Sequence, residues 1–283
     1  MQERWLRTAL VELAGVFGLV LFSSGVVCVN QLTTPGPRQV DGRADGYDPE
    51  TVRQGTAPLT LHQPGLVGVA LAQGVILAVL VALTVPVTGG YLNPAVTVTL
   101  WAFGRIDSSR AGLLLGVQVA GSVLAATCLR LIFDPAILQT ARFGTPHVNS
   151  LVYPILSTHS ILAGSGVELL LTFFLVFAMF GALGPTGDVA KPSLAAGMVQ
   201  TAAVLFAYPL TGAALNPARW LGPVLWESVG AAGLTASPWN DFLVYLSGPI
   251  LGALIAGLFC TWVVPQAPPT PLTGPGKRGA PTR

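Results

Sequence analysis

The chain is predicted to be an all-α membrane protein, with six transmembrane helices plus two re-entrant half-helices in an inverted repeat. Three observations predict it. First, 52% of the 283 residues are hydrophobic and only 9% are charged, with a mean hydropathy of +0.67, whereas a soluble domain carries about 25% charged residues. Second, six apolar segments approach or exceed the roughly 20 residues that cross a bilayer. Third, the two halves of the chain repeat one another around a doubled Asn-Pro-Ala.

The apolar segments run about Thr8–Val29, Gly65–Val85, Ala111–Phe133, Ile161–Leu183, Ser193–Tyr208 and Phe242–Val264. Arg4 and Arg7 precede the first, as they would in a secretion signal. Its apolar stretch is too long for one and contains Glu12, so it reads as a retained helix. Gly112, Gly116 and Gly121 recur in the third segment, where small residues let helices approach closely in lipid. Two shorter apolar pieces, Pro94–Phe103 and Pro217–Trp226, cannot span. The expected organisation is one channel domain over 1–264, with halves of about 6–133 and 161–264. A polar loop over 30–64 is inserted in the first half, and a cytoplasmic tail over 265–283, rich in Pro and Gly, is expected to be disordered.

With both termini cytoplasmic, Arg4, Arg7, Arg105, Arg110, Lys191, Lys277, Arg278 and Arg283 gather inside, which is the excess that orients membrane proteins. The expected location is the cell membrane. A net charge of +2, scattered along the chain, gives no nucleic-acid footprint. Cys28, Cys128 and Cys260 lie in apolar stretches and read as packed thiols, with neither disulfide nor metal spacing. Three His and few paired carboxylates leave little material for an enzyme.

The repeat is specific. Val11-Glu12-Leu13 opens the first helix and Val167-Glu168-Leu169 the fourth. Thr88-Gly89-Gly90-Tyr91-Leu92-Asn93-Pro94-Ala95 recurs as Thr211-Gly212-Ala213-Ala214-Leu215-Asn216-Pro217-Ala218. Three spans per half put the halves in opposite orientations. Asn is a strong N-cap and Pro is favoured at the first helical position, so each motif starts a helix. The two short helices would then meet N-terminus to N-terminus, aiming their positive dipole ends at mid-membrane. Asn93 and Asn216 would offer N–H donors there. Carbonyls of Gly89, Gly90, Tyr91, Leu92, Gly212, Ala213, Ala214 and Leu215 would line a channel, because irregular backbone at that depth is tolerated only beside a cavity or inside protein.

Together these features resemble the aquaporin, or major intrinsic protein, family. The resemblance runs from about Leu6 to Val264 outside the first loop. It rests on Glu12 and Glu168, Gly-Gly-Tyr-Leu-Asn-Pro-Ala-Val-Thr at 89–97, Gln118, Asn-Pro-Ala-Arg at 216–219, and Gly248-Pro249. It implies a passive channel without cofactor or metal, a lipid bilayer around it, and a homotetramer. It also implies that protons are excluded by the dipoles and Asn donors and by an Arg constriction. Counting back from each motif, the family's narrow filter falls on Gln73, Val204, Ala213 and Arg219. Water-selective members carry Phe and His at the first two positions. Glycerol channels carry two aromatics in the quartet and an Asp after the Arg, where this chain has Trp220. Tyr91 and Leu246 also depart from the common His and Trp.

The resemblance further implies that Glu12 and Glu168 accept hydrogen bonds from the loops rather than relay protons. Trp101, Trp220, Trp226 and Trp239 read as membrane-interface anchors. His147 and His159 are too isolated to be metal ligands. The expected function is passage of water and small uncharged solutes (ammonia, hydrogen peroxide, urea) with exclusion of protons and ions. The alternatives are a glycerol facilitator and a closed, structural membrane protein of the same fold.

Overall fold

A computed structural model describes residues 2–32, 64–149, 158–182, 189–230 and 237–263. Most of the expected insertion at 30–64 and the expected tail at 265–283 lie outside the described residues. Among the described residues all regular structure is helical. The long helices are α1 (Gln2–Leu32), α2 (Gly65–Thr84), α4 (Ser108–Ile132), α6 (Thr158–Gly181), α7 (Ala190–Thr211) and α9 (Phe242–Val263). All six are long and apolar enough to cross a membrane. Between them come the half-helices α3 (Pro94–Ala102) and α8 (Pro217–Val229), and a short α5 (Pro135–Thr140). At 1.5 Å per residue the half-helices are about 14 and 20 Å long, each short of a full span of about 30 Å.

The helix ends follow from local chemistry. Asn93 (φ −152°, ψ 119°) and Asn216 (φ −149°, ψ 115°) have near-identical extended backbones, and each side-chain oxygen accepts the N–H two residues on. Pro94 and Pro217 then occupy the first helical position, where a missing N–H costs nothing. Asp107 caps α4 by accepting from Arg110 N. The fifth spanning helix was expected to stop at Tyr208, before Pro209. It continues to Thr211, and Asn149 donates to the last-turn carbonyls of Pro209 and Leu210. The turn at Arg142–Gly144 and helix α5 carry no apolar periodicity and were not expected.

The bundle is held by pairs: α9 against α6, α2 against α7, and α1 against α4. The α2–α7 crossing depends on the absence of side chains. A Cβ on Gly74 would lie 1.8 Å from Thr201 Oγ1 and 2.5 Å from the Gly197 carbonyl oxygen, and one on Gly197 would lie 2.5 Å from the Gly74 carbonyl oxygen. Leu131, Met198 and Trp262 face outward at 81, 64 and 85% exposure, as lipid-facing residues of an integral multi-pass membrane protein do. Trp220 is not an interface anchor, because it is 1% exposed and stacks on Tyr245 with ring centroids 5.5 Å apart. It is drawn in because it lies on the inner face of α8, one residue past Arg219.

Gly74→Ala or Gly197→Ala should therefore force α2 and α7 apart. The expected loss is about 1–3 kcal/mol, read as a lowered melting temperature in detergent. Gly166→Ala, where a Cβ meets nothing within 4 Å, should leave the melting temperature in place.

Candidate functional site: a cavity between two half-helices

Each chain segment that leads into a half-helix adopts backbone that L-residues avoid. Leu92, Ala213 and Leu215 have φ of +48°, +49° and +54°, each costing about 1–2 kcal/mol relative to ordinary backbone. The two halves do this at matching positions, since Leu92 and Leu215 both precede an Asn-Pro-Ala. Something must hold them there.

Two fully buried carboxylates do so. Glu12 Oε1 accepts from Thr88 Oγ1 at 2.5 Å and from Tyr91 N at 3.3 Å. Its Oε2 accepts from Leu92 N at 3.0 Å and from Gln118 Nε2 at 2.9 Å. Glu168 Oε1 accepts from Thr211 Oγ1 at 2.6 Å and Ala214 N at 3.0 Å, and its Oε2 from Leu215 N at 2.8 Å. Helices α1 and α6 thus supply the hydrogen-bond acceptors for loop N–H groups that lipid could not satisfy.

The two loops are then tied together. Asn93 Nδ2 donates to the Leu215 carbonyl at 2.9 Å, and Asn216 Nδ2 donates to the Leu92 carbonyl at 2.8 Å. Each amide oxygen is used by its own helix cap, leaving one N–H per Asn for a solute. Leu92 and Leu215 carbonyls are accordingly partly occupied by this cross-link.

Around the Asn pair lies a narrow cavity. Its polar lining comes from Ser23, Gln73, Gln200 and Arg219 together with the two Asn, and its apolar lining from Leu19, Leu77, Leu175 and Met179. Tyr91, Leu92 and Ala214 complete it. Of the four residues at the expected filter, Gln73 and Arg219 line this cavity. Val204 and Ala213 are fully buried in the adjoining apolar cluster with Leu215 and Ala218. Arg219 Nη1 donates to the Gly144 carbonyl at 3.0 Å and to Ser24 Oγ at 3.4 Å. Its Nε has no partner, and neither does either amide atom of Gln73. Burying such groups unpaired costs about 1–3 kcal/mol each. Both residues thus bring uncommitted hydrogen-bonding groups to the cavity lining.

The segment that carries Gly144 is anchored by a cluster that sequence reasoning missed. His147 Nε2 lies 2.8 Å from Glu227 Oε2 and its Nδ1 lies 3.0 Å from Asp241 Oδ2, while Arg142 Nε donates to Glu227 Oε1 at 2.7 Å. In sequence, 80 residues or more separate His147 from either acid, so no local pattern announces it. Burial disfavours the charged imidazole, but the hydrogen bonds that Asp241 and Glu227 accept from the ring, with the Glu227 charge, outweigh it and raise the His147 pKa above its usual value. Burial likewise pushes the Glu227 carboxyl up, yet His147 and Arg142 hold it below the ordinary range. Gln200 was also missed, and its signal was a polar pair, Gln200-Thr201, inside the otherwise apolar stretch Leu194–Ala207.

A pH dependence follows. The His147 contribution is complete below about pH 6.5 and lost as pH rises through the raised value, while the Glu227 contribution is complete above about pH 4.5 and lost as pH falls through the lowered one. Thermal stability in detergent should therefore decline as pH rises from 6 to 9. His147→Gln should lower stability at pH 6 and flatten that decline.

The sequence profile of the family described as "Major intrinsic protein" matches residues 2–260. Among curated relatives, the chain is 38% identical to "Aquaporin TIP4-4" of Zea mays, over 69% of this chain and 70% of that one. It is 33% identical to "Probable aquaporin NIP-type" of Nicotiana alata, over 68% of this chain and 63% of the relative. It is 32% identical to "Aquaporin-4" of Bos taurus, over 68% of this chain and 54% of the relative. The solved structure titled "X-ray structure of the aquaglyceroporin from Plasmodium falciparum" superposes with a TM-score of 0.70 at 17% identity. It covers 92% of this chain and 97% of that one, which shows the shared fold. With a profile match over nearly its whole length and relatives of this identity, the chain belongs to the major intrinsic protein family.

Proposed function

We propose that the protein is a passive channel for water and small uncharged solutes, excluding protons and ions, with ammonia, hydrogen peroxide and urea among the solutes. The observation that carries this reading is the cross-linked pair of Asn-capped half-helices facing one cavity. Each helix N-terminus carries about half a positive charge, and Arg219 adds a full one a turn along α8. A cation entering there would meet three positive centres and no acidic side chain among the residues lining the cavity. A neutral solute would meet N–H donors in line.

Gln73, Val204, Ala213 and Arg219 form the filter in this reading. Support comes from Gln73 and Arg219, which line the cavity and carry unpartnered groups; Val204 and Ala213 lie in the apolar cluster that adjoins it. The opening is wider and more amphipathic than one built from Phe and His. It also lacks an aromatic wedge for glycerol's carbon chain. The apolar outward faces of the spanning helices suit lipid and association into a homotetramer, with both termini on the cytoplasmic side of the cell membrane.

Stopped-flow light scattering of proteoliposomes tests the solute range. Water and ammonia flux should exceed empty vesicles several-fold, with glycerol poor. Gln73→Phe combined with Val204→His should reduce the range to water. Arg219→Val should let protons or small cations leak, read as dissipation of an imposed pH gradient. Glycerol passing as readily as water in the unmodified protein would overturn the filter assignment.

A further inference from the structure

We propose that Tyr91 is a size-selecting residue of the pore, forming with Met179 a second narrow point at the end of the lumen away from Arg219. The proposal rests on the channel reading above and adds a selective station to the same cavity, which both residues line. Because the halves are inverted, α3 and α8 leave the Asn pair toward opposite faces of the membrane. Arg219 stands in the first turn of α8, and Tyr91 in the loop that leads into α3. Met179 lies one turn past Leu175 on α6, as Ser23 lies one turn past Leu19 on α1, and all four line the cavity. Helices α1 and α6 run in opposite directions, so Ser23 lies toward the Arg219 end and Met179 toward the Tyr91 end. The bond from Arg219 Nη1 to the neighbouring Ser24 Oγ agrees with that placement.

Paired by the repeat, the two ends differ in bulk. Ser23 on α1 corresponds to Met179 on α6. Ala214 corresponds to Tyr91, since each precedes the Asn of its motif by two residues. At both positions the larger side chain belongs to the end away from Arg219. Arg219 itself corresponds to Val96, which is fully buried in an apolar cluster with Ala95, Val176 and Ala253. One end of the lumen is thus narrowed by a guanidinium, and the other by a phenol ring and a thioether.

The ring is fixed by its neighbours. A Cβ on Gly89 would lie 2.5 Å from Tyr91 Cε1 and 2.8 Å from its hydroxyl, so the ring folds back over a residue that has no side chain. At the matching Gly212 the nearest groups are Pro146 and His147 instead. A separate segment covers that glycine, whereas the Tyr91 ring covers its counterpart. Arg110 Cζ stands 6.0 Å from the ring centroid, within cation–π reach, and its Nη2 donates to the Thr88 carbonyl at 3.2 Å. Arg110 therefore ties the ring to the loop and is a positioning residue. Tyr91 N donates to Glu12 Oε1 at 3.3 Å, a bond that does not depend on the side chain. Water slips between a ring and a thioether in single file, but a three-carbon polyol must force its carbon backbone past both.

The test measures glycerol and water permeability by stopped flow in proteoliposomes of the full chain. Tyr91→Ala and Met179→Ala should each raise the glycerol-to-water ratio about tenfold, which corresponds to a barrier lower by ~1.4 kcal/mol. Tyr91→Phe keeps the ring and should keep the low ratio. Arg110→Gln should free the ring and raise the ratio, and Arg110→Lys, which returns a cation to the ring, should restore it. Met179 sits on a spanning helix outside the loop, so its variant decides the matter where Tyr91→Ala fails to assemble. An unchanged ratio in an Ala variant that assembles overturns the proposal, as do glycerol and water moving in parallel, which is what a merely structural role would give. So does a ratio in Tyr91→Phe as high as in Tyr91→Ala, or an unmodified protein that passes glycerol as readily as water. Arg110→Gln without effect overturns the positioning role. An unmodified protein that passes neither solute overturns the channel reading beneath it.

Discussion

The structure hangs on two buried carboxylates. Glu12 and Glu168 are both wholly out of solvent, and each gathers the N–H groups of a chain segment that is neither helix nor strand. Water would satisfy such groups at a protein surface, and a sheet would satisfy them in a soluble core. In a bilayer neither is at hand, and each unpaired group costs several kcal/mol. A carboxylate offers about four lone pairs at one point. That is why a single side chain per half is enough to hold Leu92 and Leu215 in left-handed backbone.

From that constraint the rest follows in order. The held loops deliver Asn93 and Asn216 to their helix starts with matching dihedrals, and each Asn then uses its amide twice, as cap and as cross-link. The positive ends of α3 and α8 are pinned face to face, an arrangement that would repel itself without the tie. Arg219, one turn into α8, is oriented by the Gly144 carbonyl and Ser24. The Gly144 segment is oriented in turn by the charges around His147. The Asn pair and Arg219 in the cavity lining are thus held by groups outside that lining, namely Glu12, Glu168 and the charges around His147.

The half-helices and their caps were legible because each depends on residues adjacent in sequence, repeated in both halves; the doubled Glu stood out in the same repeat, but its role followed from the family resemblance, since the loop partners of Glu12 lie 76 to 80 residues away. Asn-Pro at a helix start is local chemistry, and a repeat with three spans per half dictates inversion. The pore wall was harder to read. In a soluble protein the apolar stripe of a helix reveals its inner face, but in lipid both faces are apolar and the stripe vanishes. Gln200 and Trp220 therefore gave no directional signal, and Trp220 was assigned to the interface when it belongs to the core. The His147 cluster was invisible for a different reason: its partners come from three separate elements, and only the fold brings them together.

The most direct measurement of this account is osmotic water permeability with each carboxylate neutralised in turn, as Glu12→Gln and Glu168→Gln. A Gln keeps the shape but replaces one acceptor oxygen with a donor that faces N–H groups, so each loop should lose its hold. Because the loops are cross-linked through Asn93 and Asn216, the account predicts that either substitution alone abolishes most of the flux, at both ends of the repeat alike. Full water permeability in either variant would contradict it.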